Sequence, residues 1–376
     1  MRSAWTQLSS RATKKRALPL LFFMLAAVPV AFVCAASIVP SAPTPTKSSA
    51  VTTGRPEPVP IAFVYRDGIN QSAWTQSHEL ARIALVQAFG GRIATIAVEH
   101  VATAGDADRV FSELVTRGYK VIFATDPVHT NASARVALAD YDVKIEQALG
   151  TQTLINVRPY AIRHVEQAYL AGVVAAGNTK TRKLGLIAAT ASAAAVREIN
   201  AFARGAQSVD KRAIVQVVWT GLANDSAADT RAAETLIARG VDVLLSTNDS
   251  DAVARAAERM RKRVIGWHVD RASVAPHAQV AALVLDWTPF YRLAVSESFA
   301  YLCTKSDTSR GVKEGAIKLL RLADTLSPRA RDVLGRVQRE LASGDVQALG
   351  DALPVGTAVQ PLRTGVSVVA VAQPRS

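Results

Sequence analysis

The chain has 376 residues, 49% of them apolar, enough to build two compact lobes with real cores. Its formal charge of +13 falls to +8 once Arg2, Arg11, Lys14, Lys15 and Arg16, which precede the first long apolar run, are set aside. Much of the remainder is Arg scattered with Ala along helical stretches such as "RMRKR" and "LSPRARDVLGRVQRE". With no aromatics interleaved, these read as solvated faces and not as a nucleic-acid surface.

The opening "MRSAWTQLSSRATKKRALPLLFFMLAAVPVAFVCAAS" combines a basic start with an uncharged run from Ala17 to Ala36. Small residues follow at Ala35 and Ala36, so residues 1–36 read as an export signal, and the folded part is expected to be periplasmic or otherwise extracytoplasmic. Pro19 and Pro29 disfavour a long straight helix. The run is nonetheless long enough to span a bilayer, which leaves an uncleaved anchor as the alternative; Val33 before Cys34 suits a lipoprotein signal poorly. Without the signal, Cys303 is the single cysteine, so stability must come from packing and not from an internal disulfide. Residues 37–60, "SIVPSAPTPTKSSAVTTGRPEPVP", are rich in Pro, Ser and Thr and read as a disordered tether.

From Ile61 short β-rich runs alternate with helical stretches. "IAFVY" leads to a helix in "QSHELARIALVQAFG", where Leu80, Ile83, Ala84 and Ala88 fit helical spacing. "RIATIAVEHV" and "KVIFAT" are strands flanking a helix in "DADRVFSELVTRGY". A second series starts after "HVEQAYLAGVVAAG". Its strands are "KLGLIAAT", "IVQVVWT", "VDVLLSTN" and "RVIGWHV", separated by helices around "AVREINAFARGAQS", "DSAADTRAAETLIARG" and "DAVARAAERMRK". Continuous apolar strands alternating with amphipathic helices mean parallel sheets covered on both faces. Two series predict an α/β protein of two doubly wound lobes. The boundaries expected are 61–160 plus part of 288–330 for the first lobe and 161–286 plus part of 320–353 for the second. Residues 354–376 form a tail to which the sequence assigns no role.

Polar and aromatic residues recur at the strand exits. The first strand leads to Asp67, Asn70, Gln71, Trp74 and Thr75, and the third to Thr125 and Asp126. In the second series the exits carry Asn224 and Asp225, then Asn248 and Asp249, then Trp267, His268 and Asp270, and finally Asp286 and Trp287. Ligands of open parallel sheets lie beyond the carboxyl ends of the strands. Two such ends facing one another make a crevice in which an indole such as Trp74 can lie on a flat molecule. Each acid just before a helix is equally well placed to cap it, as at Asp225–Ser226 and Asp249–Ser250; only the recurrence of the pattern points to a ligand.

No nucleophile elbow, P-loop, dinucleotide fingerprint or H-E-x-x-H is present. None of His78, His100, His129, His164, His268 and His277 pairs at metal-ligand spacing, so neither catalysis nor a metal or other cofactor is expected.

The stretches "AYLAGVVAAGNTKTRKLGLIAA", "EINAFARGAQSV", "VVWTGLANDSAADTRAAETLIARGVDVLLSTNDSDAV" and "VIGWHVDRASVAPHAQVAALVLDWTPFYRLAV" resemble, in order and spacing, the basic membrane protein family. These are purine- and nucleoside-binding receptors of ABC importers with a type I periplasmic-binding-protein fold, and the resemblance runs from about Ile61 to about Leu341. It implies two lobes on a multi-strand hinge, closing on a purine for delivery to an ABC permease, the protein acting as a monomer. Carried over by motif, the implied ligand residues are Trp74–Thr75, Asn248–Asp249–Ser250, the Trp267–His268–Asp270 stretch and Trp287. Asn70 or Gln71 suits adenine's edge. Departures fall in the first lobe: "NQSAWT" lacks an acid and two glycines usual in the family, and "TDPVHT" replaces an aromatic, Gly-rich turn. A sensing or interaction module that kept the fold but lost transport is the alternative reading, and a hydrolase ranks third.

Overall fold

A computed structural model describes residues 57–300, 308–347, 349 and 361–371. The segment read as an export signal, most of the expected tether, Cys34 and Cys303 lie outside the described residues.

The first run of elements is β1 (Val59–Val64), α1 (Ala73–Phe89), β2 (Ile93–Val98), α2 (Ala104–Thr116), β3 (Val121–Ala124), α3 (Thr130–Ala139), β4 (Lys144–Ala148) and β5 (Val157–Ile162). The chain then enters α4 (His164–Asn178), β6 (Lys183–Ala188), α5 (Ala193–Val209), β7 (Ile214–Trp219), α6 (Ser226–Ala238), β8 (Val243–Ser246), α7 (Ala252–Arg259), β9 (Arg263–His268) and β10 (Gln279–Leu285). It closes with α8 (Thr288–Phe299), β11 (Ser309–Arg310), β12 (Ile317–Leu320), α9 (Pro328–Ser343) and β13 (Val366–Val368).

These build two sheets, β11-β5-β4-β3-β1-β2 and β12-β10-β9-β8-β6-β7-β13, parallel except where β12 runs against β10. Each is a doubly wound α/β lobe. The strand order reverses at β1 and β3 in one lobe and at β6 and β8 in the other, which aims the exits of those strands at a ligand crevice. The chain passes between lobes after β5, after β10 and between β11 and β12. A buried network links Phe63, Tyr65 and Phe123 of the first sheet through Tyr160, Trp287 and Tyr291 to Trp267 and Leu283 of the second.

The crossings are fastened by charge. Arg163, on the first crossing, is ion-paired with the fully buried Glu166 and donates to Glu314 at 2.5 Å. It also donates to the Ser309 carbonyl at 2.6 Å, while the Val312 N–H donates to Glu166 at 2.7 Å.

Three features depart from the sequence reading. In α1 the apolar spacing marks the wrong face: Leu80 is 55% and Ile83 41% exposed, and the buried side is Ser77, His78, Ala81 and Leu85. That face is small and polar because it packs on the rings between the lobes, where His78 bonds Tyr291 and Ser77 receives Trp287. Next, β4 and β5 escape the pattern search because they bury charge: Arg158 donates to Glu146 in the adjacent strand at 2.7 and 2.8 Å and to Glu297 of α8 at 2.6 Å. Burial pushes the Glu146 carboxyl up, against the pull of Arg158. Finally, the tail has a structural role, since β13 pairs in parallel with β7 and forms the edge of the second sheet.

Candidate ligand-binding cleft

The two crevices face each other, and rings from both lobes meet between them. Trp74, one residue into α1, is half-buried, and its Nε1–H donates to the Thr125 carbonyl at the end of β3 at 2.7 Å. His78 lies one turn further along α1, 4.8 Å from the Trp74 ring and edge-on at 74°. Trp287, at the second crossing, is edge-on to Trp74 at 5.3 Å and stacks on His78 at 4.4 Å and 11°. The second lobe contributes His268, 5.6 Å from Trp74 at 63°, and the first crossing contributes His164 at 6.1 Å and 45°. Trp267 is buried behind His164 and His268. Among the described residues, none of the rings near Trp74 lies parallel to it.

The buried histidines are neutral. Burial drives His78 and His268 well below the ordinary histidine value, and neighbouring His164 and His78 lower His268 further. The Tyr291 hydroxyl lies 2.5 Å from His78 Nδ1 and 3.2 Å from the Tyr160 hydroxyl. With Tyr291 donating, His78 carries its proton on Nε2, and that atom has no hydrogen-bond partner. Both ring nitrogens of His268 are also buried without a partner, and its backbone is left-handed, at φ 63°. An unpaired buried donor or acceptor costs about 1–3 kcal/mol, and a non-glycine residue held there a comparable amount. His268 therefore keeps both an unfavourable backbone conformation and unpaired polar atoms inside the crevice.

A polar cavity of about 670 Å³, to which none of these rings contributes, lies between loops of the two lobes. Asn70, Gln71, Ser72 and Gln76 line its first-lobe side, and Asn224, Asp249, Asp251 and Arg271 stand opposite. Hydrogen bonds tie the lobes together here: Asn224 Nδ2 donates to Asp67 at 3.2 Å, and the Trp74 N–H donates to Asp249 Oδ1 at 3.1 Å.

The expected site residues therefore divide. Trp74, Trp267, His268 and Trp287 meet in the aromatic cluster, and Asn70, Gln71 and Asp249 line the cavity. Thr75 is buried, its N–H held by Ser72. Asn248 is likewise buried, donating to Asp229 at 2.6 Å and Thr220 at 2.8 Å within its own lobe. Asp126 accepts from the Val128 N–H at 2.8 Å, capping a single 3₁₀ turn. Asp270 accepts from the Ala272 N–H at 2.9 Å, from Gln279 at 2.7 Å and from Arg321, so both carboxylate oxygens are committed to its own lobe. His78 and His164, passed over when only metal spacing was sought, belong to the cluster. The usable signal was the i, i+4 spacing of Trp74 and His78, which puts both on one face of α1.

Two parallel-sheet lobes closing over an aromatic and polar crevice define a solute-binding protein. The chain belongs to the family of PnrA-like ABC transporter substrate-binding proteins, whose model matches residues 59–347. It is 32% identical to a purine-binding protein of Brucella abortus over 70% of this chain and 75% of that one. It is 30% identical to a putative ABC transporter glucose-binding protein of Haloferax volcanii over 80% and 74%. A solute-binding protein of an ABC transporter system from Conexibacter woesei shares the fold, with a TM-score of 0.67 at 19% identity over 77% of this chain and 97% of that one. No helix among the described residues is long and apolar enough to cross a membrane.

Proposed function

We propose that the protein is the exported receptor of an ABC importer and takes a purine base or nucleoside into the cleft between its lobes, handing it to a membrane permease. The observation that carries this reading is the combination of an indole with no parallel ring beside it and neutral histidine nitrogens left unpaired in the same crevice. A planar heterocycle stacked on Trp74 gains about 1–3 kcal/mol. Its edge donors and acceptors can satisfy His268 and His78 Nε2, while a ligand lacking one of those partners leaves a buried group unpaired and is rejected. Two neutral histidines suit an uncharged ligand. Asn70 and Gln71 at the cavity wall suit an adenine edge or the hydroxyls of a ribose. The purine-binding relative points the same way.

A second reading, a sugar ligand, is favoured by the cavity itself, whose amides, carboxylates and Arg271 match the hydroxyl pairs of a hexose. Thermal unfolding and calorimetry of the ligand-stripped protein with adenine, adenosine, guanosine and glucose separate the two. A purine at 100 times its Kd stabilises by about 2.7 kcal/mol, with glucose silent. A response to glucose alone reverses the assignment, and silence from every compound removes the small-molecule receptor reading for both classes.

A further inference from the structure

Helices normally satisfy their first N–H groups from their own N-cap residue. In α1 only part of that work is local, where Ser72 Oγ accepts from the Thr75 N–H at 3.2 Å. The two preceding donors are satisfied from the opposite lobe: the Ala73 N–H donates to the Asp249 carbonyl at 3.3 Å and the Trp74 N–H to Asp249 Oδ1 at 3.1 Å. Asp249 does not cap its own helix, since α7 begins after Asp251. Its loop is braced behind it: the Asp249 N–H donates to the Ala223 carbonyl at 3.1 Å, and Arg271, ion-paired with Asp251, donates to the Asp249 carbonyl at 3.2 Å.

From this geometry we infer that Asp249 is a cross-lobe clasp, a positioning residue that caps α1 from the facing lobe and so holds Trp74 in place and the cleft shut on its occupant. The inference deepens the receptor reading and rests on it only for there being an occupant. Parting the lobes strips two donors from α1, so closure and the placement of Trp74 are one event.

The clasp is also sensitive to acid. Facing the Asp249 carboxylate are Asp67 from the loop after β1, the Ser72 hydroxyl at the head of α1, and Arg271 from the loop after β9, with Asp251 in its own loop. Burial pushes the Asp249 carboxyl from 3.8 up to about 6; the Asp67 charge adds to the rise, while the Trp74 N–H, Ser72 and Arg271 oppose it. In parted lobes the carboxyl returns to water and its ordinary value. The closed state then binds a proton that the open state does not, between about pH 6 and pH 4. Closure therefore strengthens as the pH falls through that window, by up to tenfold per unit. A protonated carboxyl still offers its carbonyl oxygen to the Trp74 N–H.

The test uses the full chain with Cys34 and Cys303 replaced by Ser and spin labels introduced through Ser112→Cys and Ala238→Cys, exposed sites on α2 and α6. Inter-label distances are measured without ligand, and adenosine release is followed by stopped-flow tryptophan fluorescence, at pH 7.5 and pH 5. Asp249→Ala should lengthen the distances and speed release about fivefold to thirtyfold. Asp249→Asn, which keeps an acceptor without the charge, should stay closed, release more slowly than the parent at pH 7.5 and lose the pH dependence. Distances and rates that ignore both substitutions while adenosine binds overturn the clasp and leave the receptor reading standing. Distances that respond although adenosine never binds uphold the clasp and count against the purine. Should Asp249→Ala fail to fold, the pH profile of Asp249→Asn decides by itself.

Discussion

Trp74 shows how one side chain can serve two lobes. Its indole N–H is fixed to β3, its backbone N–H reaches Asp249 across the cleft, and its ring meets His78, His268 and Trp287 edge-on. None of the rings packed around it among the described residues lies parallel to it, and a ligand stacked on it is the proposal that mutation tests. Trp74→Ala is expected to lower purine affinity by about 1–3 kcal/mol, tenfold to more than a hundredfold. Arg336→Ala, on the exposed face of α9 and ion-paired with Glu340, should leave affinity unchanged. Titration calorimetry on the two variants checks the pair, and equal losses would place the site elsewhere. His268 carries the complementary cost: a left-handed backbone and two unpaired nitrogens are kept in a position where an apolar residue would be cheaper.

At the level of elements, similar acids at helix starts have taken different roles. Asp225 is the cap of α6, accepting from the Ala228 N–H at 2.8 Å, as its position before a helix suggests. Asp249, likewise followed by a serine, stands two residues ahead of the Asp251 that begins its own helix and serves a helix start 175 residues away. Packing between helices is set by glycine where α4 crosses α5. A Cβ on Gly172 would lie 1.9 Å from the Phe202 carbonyl oxygen, and one on Gly205 2.1 Å from that of Tyr169. Both obstacles are backbone and cannot rotate aside. Gly172→Ala should therefore push the helices apart and destabilise the protein by at least the 1–3 kcal/mol typical of overpacking, read as a lower midpoint in urea with an unchanged slope.

The whole molecule stores neutral histidines in its interior, and that sets its response to acid. His78, His129 and His268 are all held below the ordinary value by burial. A depressed histidine leaves the folded state binding fewer protons than the unfolded chain, so stability falls as the pH drops below about 6.5, by about 1.4 kcal/mol per unit for each histidine. Asp249, Glu146, Glu198 and Asp229, raised by burial, act in the opposite sense as they take up protons on acidification. A difference measurement isolates one histidine: His268→Asn, which tolerates the left-handed backbone, should flatten the decline between pH 6.5 and pH 5 by one proton's worth relative to the parent. Urea unfolding across that range gives the number, and an unchanged slope would mean that His268 is protonated in the folded state.

The strands and helices of the second lobe were legible in the sequence, because fully buried parallel strands such as "VDVLLSTN" must be continuously apolar. The aromatic and polar strand exits were legible too, because polar residues mark where each apolar strand ends. The buried face of α1 was not legible: Ser77 and His78 look like surface residues until Trp287 and Tyr291, more than two hundred positions away, are packed against them. The ion-paired strands β4 and β5 were hidden for a related reason, since Glu146 is tolerable inside only once Arg158 has been brought beside it. Periodicity records what each segment must bury, and so it determined the elements. Which polar groups find partners in the other lobe depends on two sheets folding toward each other, and only the tertiary structure decided that Asp249 reaches across while Asp270 stays at home.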